Sequence, residues 1–133
     1  MTAEPGDVGS ITKTSPRSVD ETVARFVEQL GAKGLKVFAV IDQRAEARAV
    51  GLDLRETTLV IFGNPAAGTH VMEAVPLAAL DLPLKVLVWA DGDGGTRVSY
   101  ADPSVVAARH GLAPPQAAVL EGVNGLTDAL VAP

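Results

Sequence analysis

The stretch from Thr57 to Thr69 limits the fold more than any other part of the sequence. It reads Thr-Thr-Leu-Val-Ile-Phe-Gly-Asn-Pro-Ala-Ala-Gly-Thr. Leu59 to Phe62 are apolar without alternation, so the strand they form is expected to be buried on both faces. Gly63 ends the run. Asn64 suits an N-cap, because its side-chain oxygen can accept an amide of the first helical turn. Pro65 suits the next position, where its missing N–H would have had no partner. A central strand therefore passes into a helix within two residues.

Gly63, Gly68 and Thr69 nearly match the spacing of a phosphate-binding loop. That loop requires Lys before the Ser/Thr, and here Thr69 follows Gly68 directly. Pro65 also removes one amide from the cradle. The junction is read as strand, cap and helix. The candidate ligand site at this helix start is Asn64, Gly68, Thr69 and His70, for a small molecule or for an anion held by free amides.

A flexible segment over residues 1–9 is expected before a single domain over 10–133. Weak alternation from Val8 to Thr14 predicts a first strand. Ser18 and Glu21 have capping-box spacing, and Val23, Phe26, Val27 and Leu30 form one helical stripe, ended by Gly31 and Gly34. Leu35 to Ile41 reads as a strand. Asp42 caps a short helix from Gln43 to Val50. Pro76 stops the central helix and opens a further turn to Leu80. Leu84 to Ala90 and Thr96 to Ala101 are strands joined by the turn Asp91-Gly92-Asp93-Gly94-Gly95. Asp102-Pro103 opens a helix to Arg109, stopped by Gly111. Val119, Val123, Leu126 and Leu130 form the stripe of a last helix, weakened by Gly122 and Gly125.

Strands joined by a tight hairpin are antiparallel. The fold class is therefore α+β, a two-layer structure with a single antiparallel sheet and helices packed mainly on one face. Strict alternation along each strand gives a second apolar set of Phe38, Val40, Val60, Phe62, Leu87 and Trp89. The last helices, a ligand cavity or a second subunit can cover it. A large apolar patch on a small protein points to an interaction site, so a homodimer is expected, with Phe38, Val60, Phe62, Leu87 and Trp89 as its candidate face.

Little in the sequence supports chemistry. There is no Cys, which removes disulfides, thiolates and Cys-based zinc sites. Net charge is −5 with no basic block, so no nucleic-acid partner is expected. No apolar run reaches membrane-span length and the first residues lack a signal-peptide pattern, so a cytoplasmic, membrane-free protein is expected. His70 and Glu73 can begin a metal site, with His110 as a third ligand, but nothing in the sequence brings His110 near them. No metal or cofactor is expected. The acidic pair in the hairpin resembles part of a calcium loop, yet Gly95 stands where a third ligand belongs. Thr69 and His70 are adjacent on a helix and point apart, so no nucleophile–base pair forms.

Several of these segments together resemble the bacterial family called domain of unknown function 302. They are Leu59 to Thr69, Ala79-Leu80-Asp81-Leu82-Pro83-Leu84-Lys85, Val98-Ser99-Tyr100 and Arg109-His110-Gly111-Leu112. The resemblance covers about residues 10 to 130. It implies a compact α+β domain with an antiparallel sheet and homodimers, and it implies no activity. The family often has Asp-His where this chain has Asp42-Gln43, and proline where it has His70. A role of that missing histidine would be lost here or taken by His70.

The sequence favours a small homodimeric binding or stress-associated module with a ligand near Asn64. The alternatives are an enzyme using Asn64, Thr69 and His70 with Glu73, and a structural interaction protein. A pocket at the start of the central helix would separate the first two from the third.

Overall fold

The computed structural model describes residues 9–133. The expected flexible segment and Val8, expected to open the first strand, lie outside that range, apart from Gly9. The order of elements is β1 (Ser10–Ser15), α1 (Val19–Ala32), β2 (Lys36–Asp42), α2 (Gln43–Ala49), β3 (Thr57–Gly63), α3 (Pro65–Ala74), a 3-10 turn (Pro76–Leu80), β4 (Leu84–Ala90), β5 (Thr96–Ala101), α4 (Pro103–His110) and α5 (Pro114–Val131). All neighbouring strands are antiparallel, in the order β1-β5-β4-β3-β2. The fold is α+β. Among the described residues no helix is long and apolar enough to cross a membrane.

Local chemistry accounts for the element ends. Ser18 caps α1 by accepting the Glu21 N–H, and Asp42 caps α2 by accepting the Ala45 N–H. Asp102 caps α4, which closes on Gly111 in the left-handed conformation, φ 60°. That conformation costs a residue with a Cβ, so glycine fits there. At the start of α5 the Ala113 N–H donates to the Gln116 side chain at 2.8 Å.

The helices α1 and α5 pack together, with α1 against β2, β3 and β4 and α5 against β1. The core between them and the sheet contains Phe26, Leu30, Val60, Phe62, Val86, Val88, Val98, Tyr100, Val123 and Leu130. Phe26 and Phe62 meet edge to face at 5.2 Å, the arrangement that ring quadrupoles favour. Lys13 ties β1 to α5 through the Asn124 carbonyl, the Thr127 hydroxyl and the Asp128 carboxylate. The Arg17 guanidinium closes the end of α5 by donating to the carbonyls of Leu130 and Ala132.

Strand register corrects the expected second apolar set. Val60 stands opposite Val86, so Val60 and Phe62 lie on the helix-covered face, almost wholly buried. Leu87 stands opposite Leu59, and Trp89 opposite Thr57, on the other face. In β2 the register shifts between Val37 and Ala39. That bulge places Val37 and Val40 opposite the buried Phe62 and Val60, and Ala39 and Ile41 opposite Ile61 and Leu59. A bulge inserts one unpaired residue and breaks strict alternation. Simple alternation therefore mixed two faces that the structure separates.

The face away from α1 and α5 carries Ala39, Ile41, Leu59, Ile61, Leu87 and Trp89 on β2 to β4, and none of these is buried. Its β5 and β1 side is polar and internally paired. The Trp89 indole donates to Ser99, whose hydroxyl lies 2.7 Å from that of Thr12. Arg97 donates to Thr14 and to Asp91.

Candidate functional site

A cavity of about 300 Å³ opens where β3 passes into α3. Phe62 and Gly63 come from the end of β3, and Leu35 and Phe38 from the start of β2 and the residue before it. The first turns of α3 contribute Asn64, Pro65, Ala67, Gly68 and Met72. Leu82, Pro83 and Leu84 form a second wall, and Val119, Gly122 and Leu126 of α5 a third. Asn64 is the one polar side chain among them. A concave, mostly apolar site with few polar groups is the usual form of a small-molecule site.

Small residues keep the space open. A Cβ added at Gly122 would meet nothing within 4 Å, and one at Gly68 would meet only the Met72 methyl, at 3.9 Å. Gly122, read from sequence as a weakness in the last helix, forms part of the cavity wall. Phe38 is 45% exposed and stands in the lining with the buried Phe62.

The start of α3 is closed to an anion. The Asn64 Oδ1 accepts the N–H of Ala66 at 3.0 Å and of Ala67 at 3.2 Å. The Gly68 N–H donates to the Asn64 carbonyl, and Pro65 has no N–H. The amides that were expected to remain free are therefore all used by the cap and the first turn. This corrects the anion reading of the site.

Of the four candidate ligand residues, Asn64 and Gly68 line the cavity, whereas Thr69 and His70 do not. Thr69 donates its hydroxyl to the Pro65 carbonyl at 2.6 Å, and His70 is exposed. Phe38 and Phe62 of the candidate face belong to the cavity, and Val60 to the core behind it. Leu87 and Trp89 lie across the sheet. Leu82, Met72, Val119, Gly122 and Leu126 were not identified as site residues from sequence, because the wall they form is assembled by tertiary packing.

His110, considered as a third ligand beside His70 and Glu73, is instead held by Asp81. Its Nε2 lies 2.6 Å from Asp81 Oδ2, and Arg109 donates to both oxygens of the same carboxylate. Those contacts, the histidine's first, hold the Asp81 carboxyl below the usual carboxylate range. Among the described residues no three His, Asp or Glu side chains come together as a metal site. A smaller cavity of about 120 Å³ lies beside Asp81 and Tyr100. The Tyr100 hydroxyl donates to Asn124 at 2.7 Å, so Asp81 and Tyr100 already have partners.

The hairpin aspartate is likewise a structural group. The Asp91 carboxylate accepts the N–H groups of Gly95 and Asp93 and the Arg97 guanidinium, which together hold its pKa down. Those bonds build the turn between β4 and β5.

The family model described as domain of unknown function DUF302 matches residues 11–130. The chain is 41% identical over 106 residues to the fluoride-specific ion channel FluC 1 of Brucella suis biovar 1 (strain 1330), covering 80% of this chain and 42% of that protein. The same identity over the same length relates it to the fluoride-specific ion channel FluC 1 of Brucella abortus biovar 1 (strain 9-941), covering 39% of that protein. The chain thus spans about two-fifths of the curated relatives it matches. Among solved structures it is similar to an uncharacterized conserved DUF302 protein from Bacillus stearothermophilus, with a TM-score of 0.78 at 19% identity. That match covers 92% of this chain and 95% of the other, and it concerns the fold alone.

Proposed function

We propose that this chain, which belongs to the DUF302 family of domains of unknown function, is a cytoplasmic module that binds a small molecule in the cavity at the start of α3. The observation that carries this reading is the cavity itself, about 300 Å³ and lined almost wholly by apolar groups. Burial of such a surface by a ligand is favourable in proportion to the apolar area removed from water. An enzyme is less well supported, because Asn64 has its oxygen in the cap, Thr69 is bonded to the Pro65 carbonyl, and His70 is exposed and not part of the lining. The test is methyl NMR of Met72, Val119 and Leu126 during titration with neutral organic probes. Saturable shifts confined to the cavity support binding, and unmoved spectra contradict it.

We also read the domain as a homodimer joined through the sheet face away from α1 and α5. Ile41, Leu59, Ile61, Leu87 and Trp89 form an apolar half-face that lies outside the buried core. A partly exposed apolar patch of this kind on a small domain marks an interaction surface.

A second reading rests on the curated relatives. The chain matches only part of two proteins named as fluoride-specific ion channels. On this reading the domain accompanies a channel and partners it in trans or in one polypeptide. Removing the matched region from such a relative and measuring fluoride efflux tests this. Altered efflux with the channel still in the membrane supports it, and unchanged efflux counts against it.

A further inference from the structure

Resting on the ligand-binding reading above, we infer that the molecule held in the α3 cavity is an uncharged carbonyl compound, with a hydrocarbon body and one oxygen that accepts from the Asn64 side-chain amide. Three observations lead there.

The first is charge. No ionisable side chain lines the cavity. An ionised carboxylate, phosphate or ammonium placed among Phe62, Met72 and Leu126 would lose its water without gaining a partner, and that is costly. The helix start gives no relief, since the amides of Ala66, Ala67 and Gly68 are already engaged.

The second is the direction of the one polar group. Asn64 accepts two backbone N–H groups, and only its oxygen can accept. The end left over is therefore the Nδ2 amide of an exposed residue, a pure donor with no protein partner among the described residues. The complementary ligand group is an acceptor such as a ketone, ester or aldehyde oxygen.

The third is size. The cavity holds about 300 Å³, which at roughly 30 Å³ per water-sized unit corresponds to about ten non-hydrogen atoms. Phe38, 45% exposed, offers ring surface to the hydrocarbon part.

The experiment compares 2-nonanone with nonanoate at neutral pH, read by the methyl shifts of Met72, Val119 and Leu126. It uses the wild-type chain and Asn64→Asp. Asp remains a good N-cap, so α3 keeps its start while the donor amide is replaced by a carboxylate oxygen. The expected result is that wild type binds the ketone at least about tenfold more tightly than nonanoate, and that Asn64→Asp weakens ketone binding about tenfold with an unchanged melting temperature. Nonanoate binding as tightly as the ketone would overturn the ligand class while leaving the cavity reading intact. Ketone binding unchanged in Asn64→Asp would overturn the role of the amide. If neither probe moves the methyls of the wild-type chain, the ligand-binding reading itself fails and this inference fails with it.

Discussion

His110 Nε2 lies 2.6 Å from Asp81 Oδ2, which joins two residues 29 positions apart. The histidine side chain is almost fully buried, at 6% exposure, and Arg109 donates to the same carboxylate. Asp81 immediately precedes Leu82 and Pro83, which form one wall of the cavity. The pair therefore fixes that wall to the end of α4.

Replacing Asp81 with Asn is expected to lower stability by about 1–2 kcal/mol at neutral pH, because it leaves His110 and Arg109 without their anion. The sign of the pH dependence follows from the lowered carboxyl pKa. A depressed folded-state value stabilises above the unfolded value, about 3.9, and that contribution is lost as pH falls through the folded-state value. Urea unfolding of both proteins should show a gap at pH 7 that narrows in strong acid. A gap of equal size at both pH values would contradict this role.

Truncating Phe62 to Ala should cost about 3–5 kcal/mol, since it leaves a void under the edge-to-face contact with Phe26. Trp89→Ala, on the open face, should cost less in the folded monomer. Chemical denaturation of the two variants measures the difference, and a larger loss for Trp89→Ala would contradict the face assignment.

That assignment marks the limit of what the sequence made legible. Caps and stops are local, and Ser18, Asp42, Asn64 and Asp102 all cap the helices expected of them. The strands Leu84–Ala90 and Thr96–Ala101 also stand where alternation and turn residues placed them. The faces failed because they depend on pairing between strands. The register of Val60 against Val86 and the shift between Val37 and Ala39 leave no local sign. The site was half legible for the same reason. Asn64 and Gly68 belong to a local motif, whereas Leu82, Val119 and Gly122 reach the cavity through tertiary packing.

The apolar half-face predicts an oligomeric change. Ile61→Lys or Leu87→Lys should convert a dimer to a monomer with an unchanged circular dichroism spectrum, because neither side chain is part of the buried core. Sedimentation equilibrium at micromolar concentration reads the result. A wild-type chain that sediments as a monomer would contradict the dimer.

Gly122→Leu fills the cavity from the α5 side, where an added Cβ meets nothing within 4 Å. Leu also forms helix more readily than Gly, so a gain of roughly 0.5–1 kcal/mol is expected in thermal or urea unfolding. A loss of that size would mean the space is not open.

The most direct measurement is calorimetric titration of 2-nonanone into the wild-type chain and into Gly122→Leu. A cavity that takes a small apolar molecule predicts saturable binding at one site per chain in the wild type and none in the filled variant. No heat in the wild type, or equal binding in both proteins, would contradict it.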